Sequence, residues 1–142
     1  MTSLVYDSDN IFAKILRQEI PCEKLYEDDH TFAFMDIMPR SKGHCLVIPK
    51  APARNILDCT EDSLSSVIAT TKRLSAAVMQ AFGAGGVTVL QANETAAGQE
   101  VFHLHFHVIP RYEGEKLGPP AANMEEREVL AANADKIRAV LG

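Results

Sequence analysis

The sequence predicts an α+β domain: a mainly antiparallel sheet of about five strands with a short N-terminal helix, one long central helix and a C-terminal helix. Three observations lead there. Several short β-branched or apolar runs precede the first long helical pattern. A single stretch from Glu61 to Phe82 keeps helical periodicity throughout. Near the C-terminal third, histidines alternate with apolar residues in the run His103, Leu104, His105, Phe106, His107, Val108, Ile109, and alternation of that kind marks a strand. Strands in series, with helices between the sets, favour an antiparallel sheet over strict β-α alternation.

Each element has local support. Ile11, Phe12, Ile15 and Leu16 recur at helical spacing before Pro21, with Asp9 or Asn10 placed to cap. Cys22 to Glu27 and Thr31 to Ile37 read as strands joined in a hairpin by the polar turn Asp28-Asp29-His30; His30 belongs to the surface. Met38 to Gly43, with Pro39 and Gly43, reads as a loop, and Cys45 to Ile48 as a third strand ended by Pro49 and Pro52. Leu64, Val67, Ile68, Leu74, Val78 and Phe82 form the apolar stripe of the long helix, with Thr60 as cap and Gly83 as terminator. Val87 to Ala92 is a fourth strand and Asn93 to Gly98 a turn. The histidine strand then runs from about Val101 to Ile109. Glu113 to Pro120 is expected to be irregular, and Asn123 with Glu126 resembles a capping box opening a last helix through Leu141.

Composition narrows the function. The chain has 142 residues, 46% hydrophobic and 23% charged, enough for one domain with its own core. Its formal net charge of -5 disfavours a broad nucleic-acid surface, which is usually basic. No apolar run is long enough to span a bilayer, and the first residues lack the basic and apolar regions of a secretory signal, so the cytoplasm is the expected compartment. Cys22, Cys45 and Cys59 are odd in number and scattered, as suits reduced, packed thiols. From Ile37 to Leu57 the charged residues are all cations, Arg40, Lys42, Lys50 and Arg54, a run that reads first as a solvated loop.

Three of the chain's five histidines fall within five positions. Imidazole changes charge near neutral pH and serves as nucleophile, general acid or base, or metal ligand. On a straight strand, same-face side chains stand about 6.6 Å apart, which puts His103 and His107 roughly 13 Å from each other. Three ligands to one ion are then hard to assemble, and no Cys-x-x-Cys pair supplies others. Packed histidines with satisfied nitrogens remain the plain alternative. A neutral imidazole whose other nitrogen is held by an acceptor attacks phosphorus well, which suits phosphoryl or nucleotidyl transfer.

The segment Gly98-Gln99-Glu100-Val101-Phe102-His103-Leu104-His105-Phe106-His107-Val108-Ile109-Pro110 resembles the signature of the histidine triad (HIT) family. So do, in the same order, Ile11-Phe12-Ala13-Lys14-Ile15, Ile20-Pro21, Ala33 to Pro39, Gly43 to Lys50, and Asn93-Glu94. This divides the chain into an N-terminal tail over 1–9, a HIT domain over 10–117 and a C-terminal helical extension over 118–142. The resemblance implies a HIT-like fold and a nucleotide hydrolase or transferase similar to the nucleoside phosphoramidases. His105 would be the nucleophile that carries a nucleoside monophosphate, His103 its support, and His107 the contact to phosphate and leaving group. His44 would be a fourth histidine near the triad. Asp36 would accept from the ribose hydroxyls, with Phe12, Ile15, Phe34, Ile37 and Leu46 lining the base pocket and Asn93, Gly98, Gln99 and Val101 around the phosphate. The implied partner is a purine nucleoside monophosphate or nucleotide conjugate, with no nucleic acid or membrane, and the implied assembly is a homodimer. Alternatives of the same resemblance are a dinucleoside polyphosphate hydrolase and a non-catalytic nucleotide-binding module.

Some positions depart from the family pattern. Many relatives carry a Cys-x-x-Cys that helps bind a structural zinc, and here Asn10 and Ala13 stand there, so no zinc or other cofactor is expected. Glu100 replaces a small hydroxyl residue near the phosphate. Ile109-Pro110-Arg111 resembles the branches that cleave dinucleoside polyphosphates, whereas a histidine, not the glutamine of the uridylyltransferases, stands at His107.

Overall fold

The computed structural model describes residues 4–142; Met1 to Ser3 of the expected tail lie outside the described residues. In chain order come α1 (Ile11–Leu16), β1 (Lys24–Glu27), β2 (Thr31–Met35), β3 (Cys45–Pro49), α2 (Glu61–Phe82), β4 (Gly86–Leu90), a 3-10 turn (Thr95–Ala97), β5 (Phe106–Arg111) and α3 (Arg127–Leu141). The five strands form one sheet in the order β1-β2-β3-β5-β4, and every neighbouring pair is antiparallel. No helix among the described residues is long and apolar enough to cross a membrane.

The caps explain where the helices start. Asn10 Oδ1 accepts from Ala13 N–H, and Thr60 Oγ1 accepts from Ser63 N–H, each satisfying a donor that the first helical turn leaves free. α2 ends on Gly83 in the left-handed region, with its N–H on Met79 O. Asp28 Oδ1 accepts from both His30 N–H and Thr31 N–H and closes the β1–β2 hairpin.

β2 and β3 are buried along their whole length because both faces of the sheet are covered. On one face Ala33, Met35, Cys45, Val47, Phe106 and Val108 join Val67, Leu74 and Val78 of α2 and Leu130, Ala134 and Ile137 of α3 in the main core. On the other, Phe32, Phe34, Leu46 and Ile48 pack with Phe12 and Ile15 of α1. Alternation on β5 therefore turns Phe106 and Val108 towards α2 and His107 towards the α1 side.

Several sequence expectations need correction. The histidine strand begins at Phe106, not Val101, so only His107 of the three lies on it. The preceding residues run along the loop after β3 instead of pairing in the sheet: Leu104 N–H donates to Ala53 O and the His103 ring bonds Pro49 O. The last helix begins at Arg127 with Glu126 as its cap residue and no side-chain cap bond. Glu125 N–H donates to Ile37 O, which holds this stretch extended past Asn123. Strand ends also move: β1 starts at Lys24 and carries a register shift between Lys24 and Tyr26, and β2 stops at Met35.

Candidate active site

His107 stands opposite Leu46 of β3 and Leu90 of β4. His44, fully buried just before β3, reaches it with Nε2 2.9 Å from His107 Nδ1. Gly43 turns the chain into His44 with φ +91°, and a Cβ there would lie 2.5 Å from the Phe82 ring, so both the turn and the close approach require glycine. Asp36 follows the end of β2, with Oδ2 3.4 Å from His44 Nε2 and Oδ1 accepting from Met38 N–H.

His105 and His103 approach from the irregular segment before β5. His105 is half-buried, with its ring edge-on to Phe12 and to His107, centroids 5.0 Å apart in both cases. Its Nδ1 lies 2.7 Å from His103 O. His103 is fully buried, with Nε2 2.8 Å from Pro49 O and Nδ1 2.7 Å from Tyr6 Oη. Tyr6, in the stretch expected to be a tail, is a contact that the motif alone does not reveal.

These partners assign the ring protons. Carbonyl oxygens only accept, so His103 carries its proton on Nε2 and His105 on Nδ1, which leaves a lone pair on His105 Nε2. Arg40 N–H donates to His44 Nδ1, so His44 carries its proton on Nε2 and donates to His107 Nδ1. His107 in turn holds a proton on Nε2. A nucleophilic nitrogen and an N–H donor thus belong to adjacent rings, a pairing suited to attack on an electrophile with stabilisation of the charge that develops.

Burial keeps these rings uncharged at neutral pH. It holds His44 and His103 down at about 4 and His107 at about 3, and it lowers His105 as well. Burial acts oppositely on the Asp36 carboxyl, pushed up to about 6 against the bond from Met38 N–H.

The remaining expected residues fall into two groups. Phe12, Ile15, Phe34 and Leu46 are buried on the α1 face, Phe12 and Phe34 edge-on at 5.2 Å, and Val101 packs against them. Ile37 is 47% exposed. Around the turn after β4, Gln99 is 3% exposed and its amide is fully engaged: Oε1 accepts from Glu94 N–H and Asn55 Nδ2, and Nε2 donates to Arg54 O and Val101 O. Asn93 Oδ1 accepts from Ile56 N–H and Gln91 Nε2. Both side chains therefore shape the loop that carries exposed Gly98. Arg54 clamps the same loop through a two-pronged bond to Glu94 at 2.8 Å, and Lys50 pairs with Glu27 at 2.7 Å. Two of the four cations of the 37–57 stretch are thus already neutralised. Glu94 adopts φ +72°, a strained setting for a residue with a side chain, which the clamp holds in place. Between the N-terminal segment and the loop before His103, a cavity of about 330 Å³ is lined by Asp7, Asp9, Asn10, Ile11, Arg54, Glu100, Val101 and Phe102, with no histidine among them.

Ala13 offers no ligand atom and Asn10 Oδ1 is spent on the α1 cap, so a zinc at those positions does not fit. Asp36, His44 and His107 bring three ligand atoms within 4.8 Å of one another. Two nitrogens on one tetrahedral zinc lie about 3.3 Å apart, whereas His44 Nε2 and His107 Nδ1 are at hydrogen-bond distance and share a proton.

A family model of the HIT domain matches residues 17–114. A solved HIT-like protein involved in cell-cycle regulation from Bartonella henselae, with an unknown ligand, superposes with a TM-score of 0.90 at 51% identity, covering 96% of this chain and 99% of that one. An uncharacterized HIT-like protein of Methanocaldococcus jannaschii is 45% identical across 74% of this chain and 81% of its own length. The adenosine 5'-monophosphoramidase of Schizosaccharomyces pombe is 39% identical across 85% of this chain and 90% of its own. The chain belongs to the HIT family.

The depressed histidines tie stability to pH. An unfolded histidine takes up a proton near its ordinary 6.5, while these rings resist until about 4 or 3. Their contribution is fully present above 6.5 and lost as pH falls through that window. Asp36, raised from 3.8 to about 6, has the opposite sign: its contribution is present below 3.8 and lost as pH rises through about 6. Three groups outweigh one, so the melting temperature should fall between about pH 7 and about pH 4.5, and more steeply in Asp36→Asn. A flat or rising melting temperature across that range would contradict the assignment.

Proposed function

We propose that this protein hydrolyses the bond between a nucleoside monophosphate and its leaving group, with His105 as the covalent nucleophile. The observation that carries the reading is the free lone pair on His105 Nε2, left by the Nδ1–H bond to His103 O, beside the N–H donor of His107. In the first step Nε2 attacks phosphorus, the bond to the leaving group breaks, and the leaving group departs with the electron pair and takes the proton of His107 Nε2. His107 Nε2–H donates to a phosphate oxygen and assists proton transfer at the leaving group, while His103 orients His105 and His44 holds His107. Water then attacks phosphorus and gives a proton back to His107 Nε2, the P–N bond to His105 breaks with its electron pair left on Nε2, and both rings return to their neutral forms. Overall the water supplies hydroxyl to phosphorus and a proton to the leaving group.

The substrate is a purine nucleotide conjugate of the phosphoramidate type, a reading supported by the activity for which the S. pombe relative is named. Phe12, Ile15, Phe34, Ile37 and Leu46 receive the base, Asp36 the ribose hydroxyls, and the loop carrying Asn93, Gly98, Gln99 and Val101 the phosphate. No metal takes part. His105→Ala should lower turnover of adenosine phosphoramidate by at least about a thousandfold, and a chelator should leave the wild type unchanged. Wild-type turnover in His105→Ala, or loss with chelator and recovery with one ion, would refute this mechanism.

The active assembly is a homodimer. β4 forms an edge of the sheet, with Val89 45% exposed, and α2 exposes Ile68 (47%) and Met79 (37%) on one helical stripe. An open edge beside an apolar stripe is a surface that pairs with a second copy. Light scattering should give about twice the chain mass of 15.6 kDa, with Ile68→Glu and Met79→Glu together giving the single-chain mass. A wild type at the single-chain mass would refute the dimer.

A further inference from the structure

Tyr6 belongs to none of the roles described so far. Its Oη lies 2.7 Å from His103 Nδ1, and its ring meets the imidazole edge-on with centroids 5.5 Å apart. The segment around it is anchored from the domain: Arg54 Nη1 donates to Val5 O at 3.3 Å and Arg17 Nη1 to Ser8 O at 2.9 Å. Two arginines therefore hold the backbone on either side of the tyrosine.

The chemistry of His103 explains what that placement achieves. With its proton on Nε2 and committed to Pro49 O, the ring has a lone pair on Nδ1 inside a fully buried site. Such an acceptor needs a donor, and the Tyr6 hydroxyl is the one within reach among the described residues. The carbonyl of the same residue accepts from His105 Nδ1–H. A His103 ring pinned at both nitrogens thus fixes the carbonyl that decides which nitrogen of His105 is free.

We propose that Tyr6 is a positioning residue: its hydroxyl holds the His103 ring in the one orientation that sets Nε2 against the Pro49 carbonyl, so that this carbonyl selects the His103 tautomer, and it steadies the His103 carbonyl that does the same for His105. The inference rests on the reading of His105 as nucleophile. Tyr6 acts through His103, so it serves the chemical step and leaves nucleotide binding alone.

Tyr6→Phe removes the oxygen and keeps the ring. Proton–nitrogen correlation spectra of the imidazoles in the full chain should show wild-type His103 protonated on Nε2 and His105 on Nδ1, and mixed tautomers at both in Tyr6→Phe. With adenosine phosphoramidate, kcat should fall about tenfold while KM stays within about twofold. Wild-type tautomers in the variant overturn the proposal, whatever happens to kcat, because they leave Tyr6 a packing role; so do altered tautomers with an unchanged kcat. Should the variant fail to fold, the wild-type spectra still decide, since a His103 protonated on Nδ1 contradicts the donor assigned to Tyr6. The spectra require no turnover, so a wild type that does not hydrolyse the phosphoramidate ends the functional reading while the link from Tyr6 to His105 is judged separately.

Discussion

Three backbone groups govern this molecule: the Arg40 N–H, the Pro49 carbonyl and the His103 carbonyl. A buried neutral imidazole has one donor and one acceptor, and both need partners. A main-chain group can play only one of those roles, so each of the three dictates where a proton sits. From them follow the lone pair on His105 and the donor on His107. Burial supplies the other half of the constraint by keeping the rings uncharged, because a protonated cluster would have no lone pair to offer.

The fold can be understood as the means of holding those three groups still. Arg40 lies in the loop between β2 and β3, whose strands are buried on both faces, and the tight turn at Gly43 delivers His44 against it. Pro49 ends β3. The segment carrying His103 is tied to the loop after β3 by Leu104 N–H on Ala53 O and by the buried Gln99 amide, itself braced by the Arg54–Glu94 clamp. α3 completes the main core on the far face of the sheet through Leu130, Ala134 and Ile137, so the C-terminal helix supports the strands that carry the site.

Much of this was legible in the amino-acid pattern, for physical reasons. The span of α2 follows from its apolar stripe, the Thr60 cap and the Gly83 stop, all local signals. The antiparallel sheet followed from the strands in series, and the clustering of His44 with the triad from the ordered motifs, whereas the strand order within the sheet is visible only in three dimensions. The position of His103 and His105 off the strand did not follow, because an irregular segment bonded to a loop can carry the same alternation of residue types as a paired strand. Asn123 misled as a cap because a long-range bond, Glu125 N–H to Ile37 O, overrides a local preference. Tyr6 was invisible for the same reason: its partner His103 is distant in sequence, and a single tyrosine near a chain end carries no pattern. Gln99 looked like a phosphate contact in the motif, and its four internal bonds are visible only in three dimensions.

The central claim, a free His105 Nε2 that bonds to phosphorus, is tested most directly by trapping. The protein is mixed with adenosine phosphoramidate, quenched in acid within the first turnover, digested and analysed by mass spectrometry. The account predicts an added adenylyl group on the peptide containing His103 to His107, located at His105 and absent from a His105→Ala control. An adduct on another residue, or turnover with no adduct at the earliest times, would contradict it.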